Sequence, residues 1–554
     1  MPMQGVQLVW LKRDLRVHDH APLAAAARCG PVLLVHIVEP GLWQQPDMAT
    51  QHWAFMRESL AELQQQLQHS GLPHAGVHLI VGETLAALQA LHRSVGLAGL
   101  HAHEETGNDW TDARDRAVRR WARLHGIPLH EQPQFGVVRG LRDRDQWLAA
   151  RQQRMRAPQA PWPPPGLCFA PWPLRAAPGL DPVAWWCRDD GNLHPGPWPD
   201  ASALGLTQID PPERQRGGRQ AALATLDSFL HQRAAHYRGG LSSPLTAPSA
   251  CSRLSPYLAY GVLSLREVVQ ATERRLQELS HLPADQARPL RSGLSAFMSR
   301  LYWHCHFIQK LESEPQLQWR NLHRGYDGLR EPEWDEQRFA ALRDGRTGWP
   351  LVDACVAMLR QTGWLNFRMR AMLVSVAAYP LWLHWREVGL WLAQLFLDYE
   401  PGIHWPQMQM QSGTTGINAT RVYNPVKQAM DHDPQGRFVR TWCPMLRQVP
   451  DSWLLEPWRM PPSVQRSCGV IVGRDWPAPP VELQAALQQA KARLHAWRRQ
   501  PGMQAEARVV AQRHGSRRGM PGARQRDPNT GLETTAHRRP AASRPGPRQL
   551  SFDW

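Results

Sequence analysis

A strongly apolar stretch of the sequence carries four charged residues that need partners. Between residues 348 and 405 apolar residues recur at helical spacing, and Gly363 and Pro380 interrupt the pattern, which predicts three consecutive helices. Burying a charged side chain in such helices without a partner costs several kcal/mol. We therefore expect these residues to pair or to bind a polar ligand, while a plain buried helical core is the alternative. They are Arg368, Arg370, Asp398 and Glu400.

Small hydroxyl residues precede another predicted helix, in the segment SACSRLSPYLAYGVLS. Serine side chains and the free backbone N–H groups at the start of a helix can bind phosphate. Ser252 and Ser255 fit this pattern. The same residues would also serve as ordinary helix N-caps, so the pattern alone leaves phosphate binding and capping open.

The composition indicates a large protein with a basic surface. The chain has 554 residues and a formal net charge of +16, and it is long enough for two or three domains. The basic residues are mostly arginine, whose guanidinium group binds phosphate bidentately, so nucleic acid is the natural partner. Much of the excess charge lies in the C-terminal tail, where keeping that end soluble is the alternative role.

The sequence also argues against membrane, secreted and metal-binding classes. The longest uncharged apolar run, residues 371–385, contains Pro380 and His384 and is too short to span a bilayer. The N-terminus lacks the pattern of a secretory signal, so we expect a cytoplasmic protein. The eight cysteines are scattered without metal-ligand spacing, and we expect reduced thiols and no bound metal.

The order of the predicted elements divides the chain into four parts. Residues 1–136 alternate short apolar strands with amphipathic helices, which predicts an α/β domain with a parallel sheet. Residues 137–217 are rich in Pro, Trp and Gly, and we interpret them as an inter-domain connector without regular structure. Residues 218–497 are predicted to form an all-α domain, and the basic tail 498–554 is predicted to be disordered.

Several ordered motifs resemble those of one family, the cryptochrome/photolyase flavoproteins. The motifs are VWLKRDLRVHDHAPL, SRLSPYLAYGVLS, RTGWPLVDA, TGWLNFRMR and RVYNPVKQ, and the similarity covers roughly residues 5–460. The resemblance implies an N-terminal antenna-type domain followed by an all-α domain that binds FAD. It leaves open whether the antenna domain holds a second chromophore of unknown identity, as it does in many members.

The resemblance assigns flavin contacts to both helical motifs. Arg370 and Asp398 match the family's salt bridge beside the flavin ring, and Glu400 matches a second carboxylate near it. Cys251 replaces the threonine of the family's pyrophosphate loop, while both serines of that loop remain. The residues expected to bind FAD are Tyr237, Cys251, Ser252, Arg253, Leu254, Ser255, Arg300, Phe367, Arg370, Asp398, Glu400 and His404.

Two positions on a later helix depart from the family's lesion-binding pattern. Ala296 and Ser299 stand where cyclobutane-dimer photolyases carry a glutamate and a tryptophan that contact the dimer. The resemblance therefore implies that standard recognition of the lesion is altered. Other residues of this helix either pack in the core or offer a different aromatic or donor group. They are Trp303, His304 and His306.

Further departures fall beside the expected flavin ring. Phe367 replaces a flavin-contacting asparagine. The asparagine that faces flavin N5 in the family matches His404, or Gly402 if the loop shifts, and this position tunes which redox state is stable. Asn366 and Phe367 replace the paired histidines of (6-4) photolyases, which disfavours that activity.

Tryptophans at family positions imply an electron relay to the flavin. Trp385 matches the middle member of the family's tryptophan chain, and Trp334 falls two residues from the surface member. The flavin-proximal position is Met408, so either Trp405 substitutes for it or the chain is broken.

The resemblance implies an FAD-dependent DNA photolyase that repairs UV-induced pyrimidine dimers as a monomer. The alternative is a cryptochrome-like blue-light photoreceptor that signals to a partner, and a structural DNA-binding flavoprotein is a third interpretation. Ala296, Ser299 and Phe367 favour the photoreceptor, whereas the basic charge favours repair. The residues expected to contact DNA are Arg300, Arg368, Arg421 and Lys427.

Overall fold

A seven-stranded sheet lies in the N-terminal part of the chain. The structure is a computed structural model that describes residues 5–175, 182–418 and 421–515. The strands are β1 (Gln7–Leu11), β2 (Val32–Val38), β3 (Val77–Val81), β4 (Gly99–His103), β5 (Leu129–Gln132), β6 (Val183–Cys187) and β7 (Leu193–Pro197). Their order is β5-β4-β1-β2-β3-β6-β7, and all neighbours are parallel except β6 and β7. This confirms the predicted parallel-sheet domain.

Both faces of the sheet are covered, which explains its continuously apolar strands. Every residue of β1 and β2 is buried. Leu8 and Trp10 belong to one apolar cluster and Val9 and Leu11 to another, so successive side chains face opposite cores. The N-terminal helices are α1 (Ala21–Ala26), α2 (Pro40–Trp43), α3 (Thr50–Gln68), α4 (Thr84–Val95), α5 (Asp109–Leu124) and α6 (Trp147–Arg156).

The segment 137–217 contains regular structure, so our interpretation of it as an unstructured connector is wrong in part. It includes α6, and its strands β6 and β7 extend the sheet beyond β3. Trp185 is buried, and Trp198 Nε1 donates to the carbonyl of Val183 at 3.0 Å. These tryptophans pack the segment onto the sheet, and the Pro-rich composition hid the strand pattern because β7 is an edge strand that tolerates proline.

The rest of the described chain is helical, as predicted. The α-helices are α7 (Arg219–Ser228), α8 (Ala234–Gly240), α9 (Ala247–Ala250), α10 (Ser255–Ala259), α11 (Leu265–Glu278), α12 (Ala284–Ser313), α13 (Glu336–Arg343), α14 (Pro350–Thr362), α15 (Phe367–Ala378), α16 (Trp385–Leu395), α17 (Pro401–Ser412), α18 (Pro425–His432), α19 (Arg437–Trp442), α20 (Asp451–Leu454), α21 (Pro462–Cys468), α22 (Leu483–Arg498) and α23 (Met503–His514). One π-helical turn, Phe229–Arg233, joins α7 to α8. Short 3-10 turns are Arg144–Gln146, Ser202–Leu204, Leu279–His281, Pro315–Gln318, Arg324–Tyr326, Glu331–Glu333, Pro444–Leu446 and Pro457–Arg459.

The three helices predicted between residues 348 and 405 are α14, α15 and α16. Gly363 ends α14 in the left-handed region at φ 63°, and its N–H donates to the carbonyl of Leu359 at 2.8 Å. Glycine takes this conformation without a steric cost, which explains the break seen in the sequence. Pro380 follows the end of α15 and separates it from α16.

Charged side chains from the N-terminal domain fasten it to the helical domain. The Arg13 guanidinium donates to the carbonyls of Ala259 at 2.9 Å and Tyr399 at 2.5 Å. Tyr399 Oη in turn donates to Asp47 at 2.6 Å. Gly261, at φ 63°, passes so close to the strand end that a Cβ there would lie 2.6 Å from the Asp14 Cα. The two domains therefore meet at the segment just before α17.

The predicted disorder of the tail is wrong for its first part. Residues 503–514 form α23, in which Met503, Val510 and His514 are buried. Glu506 accepts hydrogen bonds from the backbone N–H groups of Arg324 at 2.5 Å and Gly325 at 3.0 Å. An apolar stripe of three residues was too weak a signal in this Arg-rich segment. The rest of the predicted disordered tail, residues 516–554, lies outside the described residues.

Two further expectations bear on compartment and redox state. None of the helices in residues 5–175, 182–418 and 421–515 combines the length and apolar character that crossing a membrane requires. All eight cysteines carry free thiols.

Packing of α23 makes a stability prediction. We expect Met503→Ala to lower the free energy of unfolding by about 2–5 kcal/mol, because it removes a buried side chain from the contact of α23 with the helical core. Val509→Ala on the exposed side of the same helix is the control and should change the free energy of unfolding by about 0.5 kcal/mol or less. Denaturant unfolding measures both, and equal effects would show that α23 does not pack as described.

Candidate functional site

A large cavity opens among the helices of the C-terminal domain. It has about 1470 Å³ of empty space, including its open mouth. Helices α12, α15 and α17 line it, together with the loop before α10 and the segment between α16 and α17. Every residue that the sequence assigned to the flavin lies in this lining. They are Tyr237, Cys251, Ser252, Arg253, Leu254, Ser255, Arg300, Phe367, Arg370, Asp398, Glu400 and His404.

A bidentate ion pair forms one wall of the cavity. Arg370 Nη1 and Nη2 donate to the two carboxylate oxygens of Asp398 at 2.9 and 3.0 Å. Burial alone would raise the pKa of Asp398, but Arg370 and the hydroxyl of Ser255 outweigh it and hold the pKa below its ordinary value of 3.8. Such a pair is mutually satisfied, as expected for these two charges, whereas the Nε of Arg368 is buried without a hydrogen-bond partner among the described residues.

Two more titratable groups complete this side of the cavity. Burial raises the pKa of Glu400, although the Arg13 guanidinium lies 3.8 Å away and opposes the shift. Burial lowers the pKa of His404 to about 4, so its ring is neutral at pH 7. Because a carbonyl can only accept, His404 Nε2 carries the proton and donates to Gly389 at 2.9 Å. Its Nδ1 is therefore left as an acceptor.

The loop before α10 presents both serines and a strained arginine to the cavity. Arg253 has φ 60°, in the left-handed region, and its guanidinium lies 3.9 Å from the centre of the Trp364 ring. Burial raises the pKa of the Cys251 thiol to about 11, so this cysteine is protonated at neutral pH. Ser255 is the first residue of the short helix α10, whose N-cap is Leu254 without a side-chain cap bond, and the Ser255 hydroxyl instead bonds Asp398. Strain of this kind clusters at ligand sites.

Three residues of α12 could, from the sequence, either pack in the core or face a ligand, and the structure separates them. Trp303 and His304 line the cavity beside Arg300. His306 faces away, and its Nδ1 accepts a hydrogen bond from Arg144 Nη2 at 2.7 Å. One residue in three thus belongs to the core, because successive positions on a helix point about 100° apart.

A second, wider depression adjoins the cavity. This groove has about 2030 Å³ of empty space and runs along one face of α12. Arg300 lines both the groove and the cavity, so its side chain lies at the boundary between them. Ala296 and Ser299, the departures from the family's dimer contacts, line the groove. Five arginines line it as well, namely Arg238, Arg288, Arg291, Arg300 and Arg368.

Not all of the predicted DNA contacts reach this groove. Arg421 and Lys427 are absent from the described lining of both depressions. Lys427 is exposed and lies 3.1 Å from Asp431. Burial lowers the pKa of Arg421, and the charge of Arg368 lowers it further. Arg421 thus belongs to the same basic neighbourhood as Arg368, whereas Lys427 is paired with an acidic residue at the surface.

The predicted electron relay is only partly assembled. The rings of Trp385 and Trp405 lie 6.0 Å apart at 69°, and the Trp405 ring lies 4.9 Å from His404 in the cavity wall. A Cβ at Gly389 would lie 2.6 Å from the Trp405 ring and 3.4 Å from Met408 Cγ. The side chains of Trp405 and Met408 therefore both pack beside Gly389. Trp334 instead contacts Phe339 at 5.0 Å.

Another cavity lies at the carboxyl ends of β1 and β2. It has about 640 Å³ of empty space, and its lining includes Trp10, Lys12, Trp43 and Tyr399. An ion-pair network around Arg114 faces it. Arg114 Nη1 lies 2.8 Å from Glu39, and Lys12 Nζ lies 2.8 Å from Asp115. Crevices at this edge of a parallel sheet are common ligand sites.

One cluster within the described ranges has the composition of a metal site, Asp14 with His20 and His103. The N–H of Leu23 donates to His20 Nδ1 at 3.1 Å, so the neutral ring carries its proton on Nε2. That proton points to Asp14 at 2.9 Å, and His103 Nδ1 donates to the same oxygen at 2.6 Å. Protons occupy the positions that a metal would take, and we interpret the cluster as a buried hydrogen-bonded triad.

Comparison with known proteins matches both halves of the chain to one family. Residues 7–139 match the family described as DNA photolyase, and residues 297–496 match the FAD binding domain of DNA photolyase. The chain belongs to the cryptochrome/photolyase family. It therefore contains an FAD-binding domain.

Relatives with different names resemble this family member almost equally. The deoxyribodipyrimidine photo-lyase of Vibrio cholerae is 28% identical over 82% of this chain and 94% of its own. The Cryptochrome DASH of Gloeobacter violaceus is 26% identical over 86% of this chain and 93% of its own. A bacterial class III photolyase from Agrobacterium tumefaciens has a TM-score of 0.71 at 23% identity, covering 90% of this chain and 98% of that chain. That structure shows the shared fold alone.

The cavity of this family member fits FAD in the chemistry of its lining. Buried polar atoms without a partner among the described residues include Asn366 Oδ1, Gln411 Oε1 and His304 Nδ1. All three residues line the cavity, so polar atoms that lack a partner lie in its walls, where a polar ligand can satisfy them. Sequence reasoning missed Asn366 and Gln411 as site residues. Asn366 is the N-cap directly before the expected contact Phe367, and Gln411 lies two turns after the expected contact His404 on α17.

The ion pair in the wall predicts a loss of cofactor and stability on substitution. We expect Asp398→Ala to release most of the bound flavin and to cost about 3–5 kcal/mol, because it leaves Arg370 without its counter-ion. Flavin absorbance and thermal unfolding of the holoprotein measure the two effects. Asp431→Ala, which removes an exposed partner of Lys427, is the control and should retain flavin.

The same carboxylate predicts a pH dependence. Because the folded-state pKa of Asp398 lies below its ordinary value of 3.8, its contribution to stability is complete above that value. It is lost as the pH falls below 3.8 through the lower folded-state pKa. The stability difference between the wild type and Asp398→Ala should therefore shrink in that range, and a difference that grows on acidification would contradict the pairing.

Proposed function

We propose that this protein is a deoxyribodipyrimidine photolyase, which uses reduced FAD and blue light to repair UV-induced pyrimidine dimers in DNA. The observation that carries the proposal is the arginine-lined groove that adjoins the FAD cavity at Arg300. The described lining of this groove holds five arginines and no acidic residue, which suits a phosphate backbone. An enzyme that acts on a base must take it out of the stack, and the junction gives that base a way in.

The residues of the cavity wall would hold reduced FAD, which when bound would supply the electron for light-driven splitting of the dimer. The protein's own residues hold the cofactor and exclude water. Arg370 and Asp398 present a paired, charge-neutral wall, and His404 presents a neutral acceptor. Trp303, Phe307 and other apolar side chains in the lining keep the site dry.

Arginines outside the cavity hold the DNA in this proposal. Arg300 and Arg368 lie in the groove and contact phosphates near the extruded base. Arg421 and Lys427 carry the same positive surface further along the rim. The contacts are electrostatic, so DNA affinity should fall with salt.

A cryptochrome-like photoreceptor is the second candidate function. Ala296 and Ser299 remove the acidic and aromatic groups that the family uses on a dimer, and they line the groove here. The contact between Trp385 and Trp405 also supplies part of a route for flavin photoreduction. In a photoreceptor that route would be the function, and a signalling partner would read the result.

The cavity at the carboxyl ends of β1 and β2 is our candidate for an antenna site. The archaeal photolyase from Sulfolobus tokodaii, solved with two FAD molecules, is a structural neighbour at a TM-score of 0.67. Here Trp10 and Trp43 are aromatic residues of the lining, and Tyr399 lies in the lining of both cavities. A chromophore in this cavity would be separated from the FAD cavity by the Tyr399 side chain, and such a short separation suits energy transfer.

Light-driven repair tests the proposed function directly. The holoprotein, with its flavin reduced, is mixed with an oligonucleotide that carries one thymine dimer and is exposed to blue light. We expect chromatography to show restored thymines in the light and none in the dark. A holoprotein that absorbs blue light and binds DNA but leaves the dimer intact would exclude repair and favour the photoreceptor.

The relay separates the two candidate functions. We expect Trp385→Phe to abolish photoreduction of oxidised flavin, because phenylalanine is far harder to oxidise, and to spare repair by pre-reduced protein. Trp382→Phe is the control and should retain photoreduction, since the Trp382 ring lies 4.7 Å from the Arg330 guanidinium and 3.9 Å from that of Arg493. Normal photoreduction in Trp385→Phe would place the electron route elsewhere.

A further inference from the structure

The amide of Asn366 is held in one orientation beside the junction of cavity and groove. Its Nδ2 donates to the backbone carbonyls of Leu241 at 3.1 Å and Ser242 at 3.0 Å. Carbonyls only accept, so the amide cannot be assigned the other way round. Oδ1 is consequently directed away from this loop. It is buried, and it has no hydrogen-bond partner among the described residues.

The position of Asn366 links the two depressions. Asn366 lines the cavity, while Leu241 and Ser242, which hold its amide, line the groove. Arg300 and Arg368 lie in the same part of the groove lining. Asn366 therefore lies between the groove and the cavity, beside the path that a base would take from one to the other.

Other carboxylate and amide acceptors near this junction are engaged or lie elsewhere. The described groove lining contains no acidic residue. In the cavity Asp398 is bound by Arg370, and Glu400 faces Arg13. Gln411 Oε1 is also buried without a partner, but Gln411 does not line the groove. Asn366 is the amide acceptor that stands where the groove meets the cavity.

A thymine that leaves the base stack brings a donor that needs an acceptor. Its imide N3–H loses its base-pair partner on extrusion, and an N–H buried without an acceptor weakens binding. Ala296 has no polar group, and the short hydroxyl of Ser299 is not a carboxylate. The groove itself therefore supplies no carboxylate for this N–H.

We propose that Asn366 Oδ1 accepts a hydrogen bond from the imide N3–H of a thymine in the lesion and so determines recognition of the base. The proposal rests on the proposed function and names the residue that reads its substrate. It assigns the site to pyrimidines that carry a proton on N3, as thymine does and cytosine does not.

Binding in the dark tests this contact. The affinity is compared for wild type and Asn366→Ala, each with an unmodified and a methylated substrate. The holoprotein is titrated with two labelled oligonucleotides, one carrying a thymine dimer and one carrying the same dimer methylated at both N3 atoms. We expect methylation to weaken binding by wild type about tenfold, because it removes the donor. Asn366→Ala should weaken binding of the unmodified dimer about tenfold and cause no further loss with the methylated dimer.

A matched control replaces another buried amide whose oxygen has no hydrogen-bond partner among the described residues but which lies outside the site. Gln428 Oε1 is also buried without a partner, but Gln428 lines neither depression. Gln428→Ala should discriminate between the two dimers as wild type does. An equal loss for both dimers in Asn366→Ala would overturn the proposal. So would loss of flavin with dimer discrimination retained, which would assign Oδ1 to the cofactor.

A second variant covers the case in which Asn366→Ala does not fold. Asn366→Ser places a hydroxyl oxygen near the position of Oδ1. We expect this variant to prefer the unmethylated dimer over the methylated one, but less strongly than wild type does. Flavin absorbance checks that the variant still binds its cofactor. Repair is scored separately in the light. Discrimination without repair would support the Asn366 contact and exclude the photolyase activity, whereas repair with undiminished binding by Asn366→Ala would overturn the contact alone.

Discussion

The ion pair between Arg370 and Asp398 is the interaction on which the site depends. It joins α15 to the segment between α16 and α17, and Arg370 Nε also donates to the carbonyl of Leu365 at 2.6 Å. Its guanidinium lies 4.2 Å from the centre of the Phe396 ring. The Arg370 side chain thereby holds three groups in place: the turn before α15, the Phe396 ring and the Asp398 carboxylate. Because the pair is satisfied internally, this wall is built before any ligand binds.

The N-terminal domain contributes to the same wall, so the site does not belong to the helical domain alone. Arg13 follows β1 directly, and its guanidinium holds the carbonyl of Tyr399 and faces Glu400. Burial raises the pKa of Glu400 even with this partner, which makes the position costly for a charge unless Arg13 stays in place. Docking of the two domains thus affects both the cavity and the crevice at the sheet edge, since Tyr399 lines both.

The sequence predicted the elements whose pattern is local and missed those defined by tertiary contacts. The helices α14 to α16 follow from apolar spacing and from Gly363, and the expected flavin residues converge because they stand in motifs. By contrast, β6 and β7 join the sheet from a Pro-rich segment, and α23 is held by Glu506 and buried Met503. Asn366 was overlooked because its role depends on two backbone carbonyls far away in sequence, at Leu241 and Ser242. No spacing rule reveals such a contact.

The charges around a tryptophan affect how easily it loses an electron, and this distinguishes some of the 26 tryptophans from others. The Trp382 ring lies between two guanidinium groups, and oxidising it would forfeit both cation–π attractions and create a third positive charge beside them. Trp385 is close in sequence but has neutral partners. Its Nε1 donates to Asn321 Oδ1 at 2.8 Å, and the neighbouring Arg386 turns its guanidinium onto Trp319 at 4.4 Å.

The same reasoning separates Trp405 from the other aromatic residues near the cavity. Its ring contacts are with Trp385 and with His404, whose low pKa keeps it uncharged at neutral pH. Trp364, although it lines the cavity, is covered by the Arg253 guanidinium at 3.9 Å. A positive charge on Trp405 would therefore be opposed less than one on Trp364, which favours the contact of Trp405 with Trp385 over Trp364 as a candidate path from the cavity.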